Sequence, residues 1–321
     1  MITRDDIIQA ASRIKDRIHR TPVLTCGALD ALVGARLFFK CENFQKVGAF
    51  KMRGACNAVF SLDDREAARG VATHSSGNHA QALALAARLR GIPAYVVMPL
   101  GSPTVKREAV LGYGAEIMDC EPNLQAREST LDKVVRRTGA VFIHPYNDER
   151  VMAGQGTAAL ELLEQVPDLD LVMAPVGGGG LLSGTAVACA GAESSPRVIG
   201  GEPSGADDAA RSLAAGRIIP SVEPDTVADG LLTSLGDLTF AAIRRHVETI
   251  WTVPEQDIIR AMRLVWERMK IVIEPSAAVC PGALLGHRED VAGLRVGIIL
   301  SGGNVDLERL PWPVRPDDGK G

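Results

Sequence analysis

The sequence predicts an α/β protein of two lobes, each with a twisted, mainly parallel sheet covered by helices. Three observations predict it. Short apolar runs alternate with helix-period stretches along nearly the whole chain. Four of those runs end in loops of small or polar residues. The 321 residues, 46% hydrophobic and 23% charged, suffice for one large domain or two modest ones.

In chain order, "MITRDDIIQAASRIKDR" is amphipathic with early acids, and reads as a helix rather than a signal peptide. "RLFFKCE" (36–42) reads as a strand, with a helix near 54–62. "GVATHS" (70–75), "AYVVMP" (94–99), "EIMDC" (116–120) and "AVFIHP" (140–145) read as strands with helices between them; the helix "NHAQALALAARLRG" stops at Gly91. A second series follows a crossover near 145–155. It holds "LDLVMAPV" (169–176), a helix from Leu181, "RVIGGE" (197–202), a helix after Ala206, "TIWTV" (249–253), a long helix and "RVGIIL" (295–300). Such alternation implies parallel strands with ligands beyond their carboxyl ends. The tail "WPVRPDDGKG" reads as frayed.

Composition excludes several classes. A net charge of -4 and 4% aromatic residues argue against nucleic-acid binding, which needs a basic field and stacking platforms. No apolar run reaches membrane-spanning length. The six cysteines form no CxxC pair and sit mostly in apolar runs, so reduced core thiols and a cytoplasmic home are expected.

Four loops and one lysine carry the chemistry. "SSGNH" (75–79) opens a helix, whose free N–H groups suit a carboxylate or phosphate; its plainer reading is an N-cap. "GGGG" (177–180) suits backbone approach to a phosphate, but lacks a following GK[ST] and fits a dinucleotide fingerprint poorly. A flexible turn is the alternative. "SGGNVD" (301–306) offers a serine to a heteroaromatic nitrogen, or is an ordinary turn. "GEPSGADD" (201–208) brings Glu202 and Asp208 together for a hard cation, or merely caps a helix. Lys51 sits between Phe50 and Met52 in "GAFKMRGA", where burial can lower an amine's pKa, although a buried stem with a solvated head is the commoner case. A nucleophilic lysine, an anion cradle, a carboxylate cradle and a serine for a ring nitrogen are together what pyridoxal phosphate requires.

"GAFKMRGA", "SSGNHAQAL", "AGQGTAALEL", "PVGGGGLLSG", "EPSGADD" and "SGGNVD", in this order, resemble the fold type II pyridoxal-phosphate enzymes, and among them the serine/threonine dehydratases and serine racemases. The resemblance spans nearly the whole chain. It implies a tryptophan synthase β-like fold, with a large cofactor-binding domain (1–64 and 149–321) and a small mobile domain (65–148). Lys51 would carry the cofactor covalently, beside Phe50. Asn78 would contact the ring's phenolic oxygen, with Tyr146 nearby. Gly177, Gly178, Gly179 and Gly180 would hold the phosphate, Ser301 the ring nitrogen, and Gly230 would join this set. Ser75, Ser76, Asn78 and His79 would surround the substrate carboxylate. Glu202, the Ala206 carbonyl and Asp208 would hold Mg²⁺, or Ca²⁺ or Mn²⁺. Ala49 departs from the usual serine and loses a phosphate-facing hydroxyl. Isoleucine feedback through an appended regulatory domain is not expected.

Two residues bear on substrate. Ser76 stands where threonine dehydratases typically have alanine, as in serine racemases and threo-3-hydroxyaspartate dehydratases. A hydroxyl opposite Lys51 predicts racemisation or use of a D-enantiomer, unless it only binds carboxylate. Arg127 matches an arginine that in serine racemases reaches a diacid's second carboxylate; the alternative is an exposed pairing with Glu128 or Asp132. Thr233 would help the same carboxylate. The expectation is therefore a dehydrating ammonia-lyase for L-threo-3-hydroxyaspartate and L-serine, with serine racemisation as a further activity, acting as a homodimer. A catabolic threonine dehydratase is the nearest rival. A β-replacement synthase, an NAD-linked enzyme and a non-catalytic ligand-binding protein are more distant ones.

Overall fold

A computed structural model of the chain describes residues 1–102 and 104–312; the last nine residues of the tail read as frayed lie outside them. Its strands are β1 (Val23–Leu24), β2 (Arg36–Cys41), β3 (Val71–His74), β4 (Ala94–Pro99), β5 (Glu116–Cys120), β6 (Val141–Phe142), β7 (Leu171–Pro175), β8 (Arg197–Pro203), β9 (Thr249–Val253) and β10 (Arg295–Leu300). They form a six-stranded sheet ordered β1-β2-β10-β7-β8-β9 and a four-stranded sheet ordered β5-β4-β3-β6. Every pairing is parallel except β1 with β2. The α/β class expected from the alternation is the fold.

The larger sheet is apolar on both faces, as parallel sheets covered by crossover helices must be. Alternate residues of β7 show this. Val172 and Ala174 enter the core under the helices Glu149–Gln165 and Gly180–Ala190. Leu171 and Met173 enter the opposite core, under Glu255–Met269 and Pro275–Gly286. The strand bounds of β4, β5, β9 and β10 match the apolar runs. Two features differ. β1 is a two-residue edge pairing, too short to show a pattern. The run 140–145 pairs only through Val141–Phe142, because His144 Nδ1 accepts the N–H groups of Tyr146 (3.2 Å) and Asn147 (2.9 Å) and turns the chain out of the ladder.

A largely buried charge network ties the lysine-bearing segment to this sheet. Arg53, on the helix Lys51–Phe60, donates to Glu42 (2.7 and 2.8 Å) and to Glu161 (2.8 and 2.9 Å). Lys40 of β2 reaches Glu161 at 2.6 Å. The glycines of "AGQGT" bring the helix Glu149–Gln165 against two neighbours at backbone distance. A Cβ on Gly154 would lie 2.5 Å from Arg53 O, and one on Gly156 would lie 2.8 Å from Gly184 O.

Candidate active site

β3, β7, β8 and β10 all end where the four small-residue loops begin, so the parallel topology gathers those loops along the strands' carboxyl ends. Lys51 is placed by lacing between two distant segments. Ala49 bridges Gly302, Phe50 N–H donates to Ser301 O at 3.0 Å, and Gly303 N–H donates to Gly48 O at 2.9 Å. The turn into this lacing needs Gly48, which has φ +66° and Asn304 Oδ1 2.6 Å from the point where a Cβ would stand. The lysine therefore stands beside Ser301. Its Nζ donates to Pro145 O at 2.9 Å and lies 5.2 Å from the Phe50 ring centre. Burial pushes the ammonium down to about 8, against the pull of Glu274.

Ser301 is 2% exposed, and its buried hydroxyl has no hydrogen-bond partner. Buried polar groups are nearly always paired, so this orphan fits a ligand atom such as a ring nitrogen. The four glycines of 177–180 are packed on every side. A Cβ would meet Leu231 Cα at 2.8 Å from Gly177, the Tyr146 ring from Gly178, Leu235 at 2.8 Å from Gly179, and the Gln155 amide from Gly180. Gly179, at φ +88°, caps the helix Gly180–Ala190 without a side-chain acceptor, which leaves the first-turn N–H groups for an anion. Packing and anion binding thus both call for glycine here. The orphaned serine, the cradle and the lowered lysine together fit pyridoxal phosphate.

The helix Asn78–Arg90 likewise starts with no side-chain cap hydrogen bond, while Gly77 N–H donates to Ser75 Oγ at 3.3 Å. Ser76 and the N–H groups of Asn78 and His79 stand at this N-terminus. The His79 imidazole does not add a donor. Its Nε2 faces Ile143 O at 3.2 Å, leaving a buried, unpartnered Nδ1 lone pair, and burial holds its pKa well below the usual value. His79 can serve a carboxylate only through its backbone.

Asn78 reaches across the cleft. Its Nδ2 donates to Glu274 (3.0 and 3.1 Å), and its Oδ1 accepts from Asn304 Nδ2 at 2.9 Å. Asn304 is itself oriented by Val47 O at 2.7 Å. A carbonyl at one end and a carboxyl at the other fix both amide orientations. Burial pushes Glu274 up to about 7, against the Asn78 donor. Glu274 and Asn304 escaped the sequence reading. The available signal was a lone acid inside "IVIEPSAAV".

Three other placements refine the expected set. Tyr146, expected near the ring's phenolic oxygen, lies on Gly178, with its phenol pushed up by burial and opposed by Thr233. Gly230 N–H is taken by Ser276 Oγ at 3.1 Å. Arg127, on the helix Leu124–Thr138, lies near His74 at the end of β3; burial and then Arg127 lower the His74 pKa. Among the described residues Arg127 pairs with neither Glu128 nor Asp132, and its buried Nε has no partner.

At the end of β8, Glu202 accepts from Ala209 N and Ala210 N at 2.8 Å each. Asp208 is 1% exposed, and both of its carboxylate oxygens are buried without a hydrogen-bond partner. Burial pushes Glu202 up to about 8 and Asp208 up to about 6. No group of three His, Cys, Asp or Glu side chains suited to a metal occurs among the described residues; this set has two carboxylates and the Ala206 carbonyl.

The profile of the family described as pyridoxal-phosphate dependent enzyme matches residues 14–302. The chain is 55% identical over 310 residues to a beta-hydroxyaspartate dehydratase of Paracoccus denitrificans, covering 97% of this chain and 98% of that one. It is 50% identical over 315 residues to a serine racemase of Dictyostelium discoideum, covering 96% and 97%. The crystal structure of serine racemase from Dictyostelium discoideum superposes with a TM-score of 0.92 at 50% identity, over 95% of this chain and 99% of that one.

Proposed function

Because the chain belongs to the pyridoxal-phosphate dependent enzyme family, we propose that it dehydrates and deaminates L-threo-3-hydroxyaspartate and L-serine to keto acids and ammonia. The observation that carries the diacid preference is the unpaired Arg127 near His74, one residue before the carboxylate-binding loop. A guanidinium there suits a β-carboxylate by bidentate pairing and does nothing for a methyl group.

When bound, the cofactor supplies an electron sink for the pair released as the Cα–H bond breaks. The chain's residues do the rest. The N–H groups at the start of Asn78–Arg90, with Ser75 and Ser76, hold the α-carboxylate. Lys51, with its pKa lowered to about 8, takes the Cα proton at Nζ. The Phe50 ring centre lies 5.2 Å from that nitrogen. Ser301 would offer a neutral hydroxyl rather than a carboxylate to a ring nitrogen, and the β-hydroxyl leaves as water with the proton that Lys51 Nζ has taken. The released enamine hydrolyses to keto acid and ammonia. Ser76, just before the helix Asn78–Arg90, would serve as the second proton carrier for serine racemisation.

Keto-acid release with L-threo-3-hydroxyaspartate, L-serine, D-serine and L-threonine tests the reading, with oxaloacetate expected fastest. Arg127→Ala should cost hydroxyaspartate roughly ten- to a hundredfold in kcat/KM and leave L-serine within about threefold. Equal losses on both substrates, or fastest 2-oxobutanoate from threonine, would establish the threonine dehydratase instead.

An oxygen-only donor set of Glu202, Asp208 and the Ala206 carbonyl suits Mg²⁺. Mg²⁺ at a hundred times its Kd should stabilise the protein by about 2.7 kcal/mol over the chelated form. Asp208→Asn should abolish most of that shift in thermal melts. The reading also carries a homodimer in which 65–148 moves against the rest. A reducing cytoplasmic home is supported by six free cysteines, five of them buried.

A further inference from the structure

Gln155, the middle residue of "AGQGT", is fully buried, and neither its Nε2 nor its Oε1 has a hydrogen-bond partner. A buried amide with its donors and acceptor all unused is costly, and such groups in folded proteins are nearly always satisfied. The flanking glycines explain how it comes to be there. Gly154 and Gly156 press its helix onto the two helices that begin at Lys51 and Gly180. The side chain emerges between them. Its Cγ lies 3.0 Å from where a Cβ on Gly54 would stand, and its Oε1 fills the place of a Cβ on Gly180. Tyr146 Cβ and Cα, 3.0 and 3.1 Å from the same point, close the third side.

The amide therefore ends against the last glycine of the cradle, between two helix N-termini whose N–H groups and dipoles favour negative charge. Its two ends exchange by a half-turn of the terminal torsion, so the NH₂ group can face the cradle. An acceptor for that donor is what the site lacks, and a phosphate brings several.

We propose that Gln155 is a cofactor-binding residue, whose carboxamide donates a hydrogen bond to the anionic end of the cofactor held by Gly177–Gly180. This rests on the pyridoxal-phosphate reading. It adds one side-chain donor to a cradle otherwise made of backbone N–H groups.

The test titrates apoprotein with pyridoxal phosphate and, separately, with pyridoxal, which lacks the phosphate, and follows absorbance. Gln155→Met keeps the shape and removes the donor. It should weaken pyridoxal phosphate binding by roughly ten- to a hundredfold and leave pyridoxal binding unchanged. The variant apoprotein should melt at or above the wild-type temperature, because an apolar isostere relieves an unpaired amide. Gln155→Glu, which puts a carboxylate beside the phosphate, should weaken pyridoxal phosphate further and serves if the methionine variant does not fold. Unchanged phosphate-ligand affinity, equal losses on both ligands, or a lower apoprotein melting temperature for Gln155→Met would each overturn the proposal. Wild-type protein that binds neither ligand would overturn the cofactor reading beneath it.

Discussion

Lys51→Ala is expected to lower keto-acid release by roughly 10⁴-fold, because in the proposed mechanism one nitrogen both anchors the cofactor and moves the Cα proton. The helix Lys51–Phe60 carries no second lysine to stand in. Activity of the variant without added amine would remove Lys51 from the mechanism. Borohydride reduction gives a second readout, since it should fix the cofactor to Lys51 in the wild type and to nothing in the variant. The pH dependence has a definite sign. Attachment needs the free amine, and burial places Lys51 near 8, so the attachment rate should climb from pH 7 and level off above about 9. An amine at the ordinary value of 10.5 would still be climbing there.

Glu161→Ala is expected to destabilise the fold by about 3–5 kcal/mol, measured by denaturant unfolding of the holoprotein. The carboxylate is shared by two buried cations, Lys40 at 2.6 Å and Arg53 at 2.8 Å. Without it, Lys40 loses its only ion pair among the described residues, and Arg53 keeps only Glu42. Burial raises the Glu161 pKa, but Arg53 and Lys40 outweigh it, so the folded value lies below the ordinary 4.5. A depressed carboxyl contributes stability above its unfolded value and loses it as pH falls through the folded one. The wild type should therefore lose more stability than the variant on acidification below about 4.5. A loss under about 1 kcal/mol for Glu161→Ala would mean that water reaches the network.

The sheets were legible because parallel strands buried on both faces read as apolar runs, as β4 and β10 do. The loops were legible because clusters of glycine and serine at strand ends are costly without a purpose. Other features left no periodic trace. Glu274, Asn304 and Gln155 are single polar residues in apolar or small-residue stretches, and a partner 196 residues away, as Asn78 is from Glu274, has no local signature. His79 was expected to help hold a substrate carboxylate, and its ring is committed to Ile143 O, a tautomer that spacing does not encode. Conversely, the glycine loop read as an anion cradle is demanded equally by its neighbours' packing.

The placement of β10 has a consequence for synthesis of the chain. Among the described residues it is the last strand made, yet it lies between β2 and β7 and pairs with both. At roughly 5–20 residues per second of translation, β2 waits on the order of tens of seconds for its parallel neighbour. The four-stranded sheet, drawn entirely from residues 71–142, can close on the ribosome long before. During that interval Lys51 has no Ser301 beside it. A nascent chain released short of β10 would expose the apolar edges of β2 and β7 to other chains and to chaperones, and could capture the aldehyde only as any loose amine does.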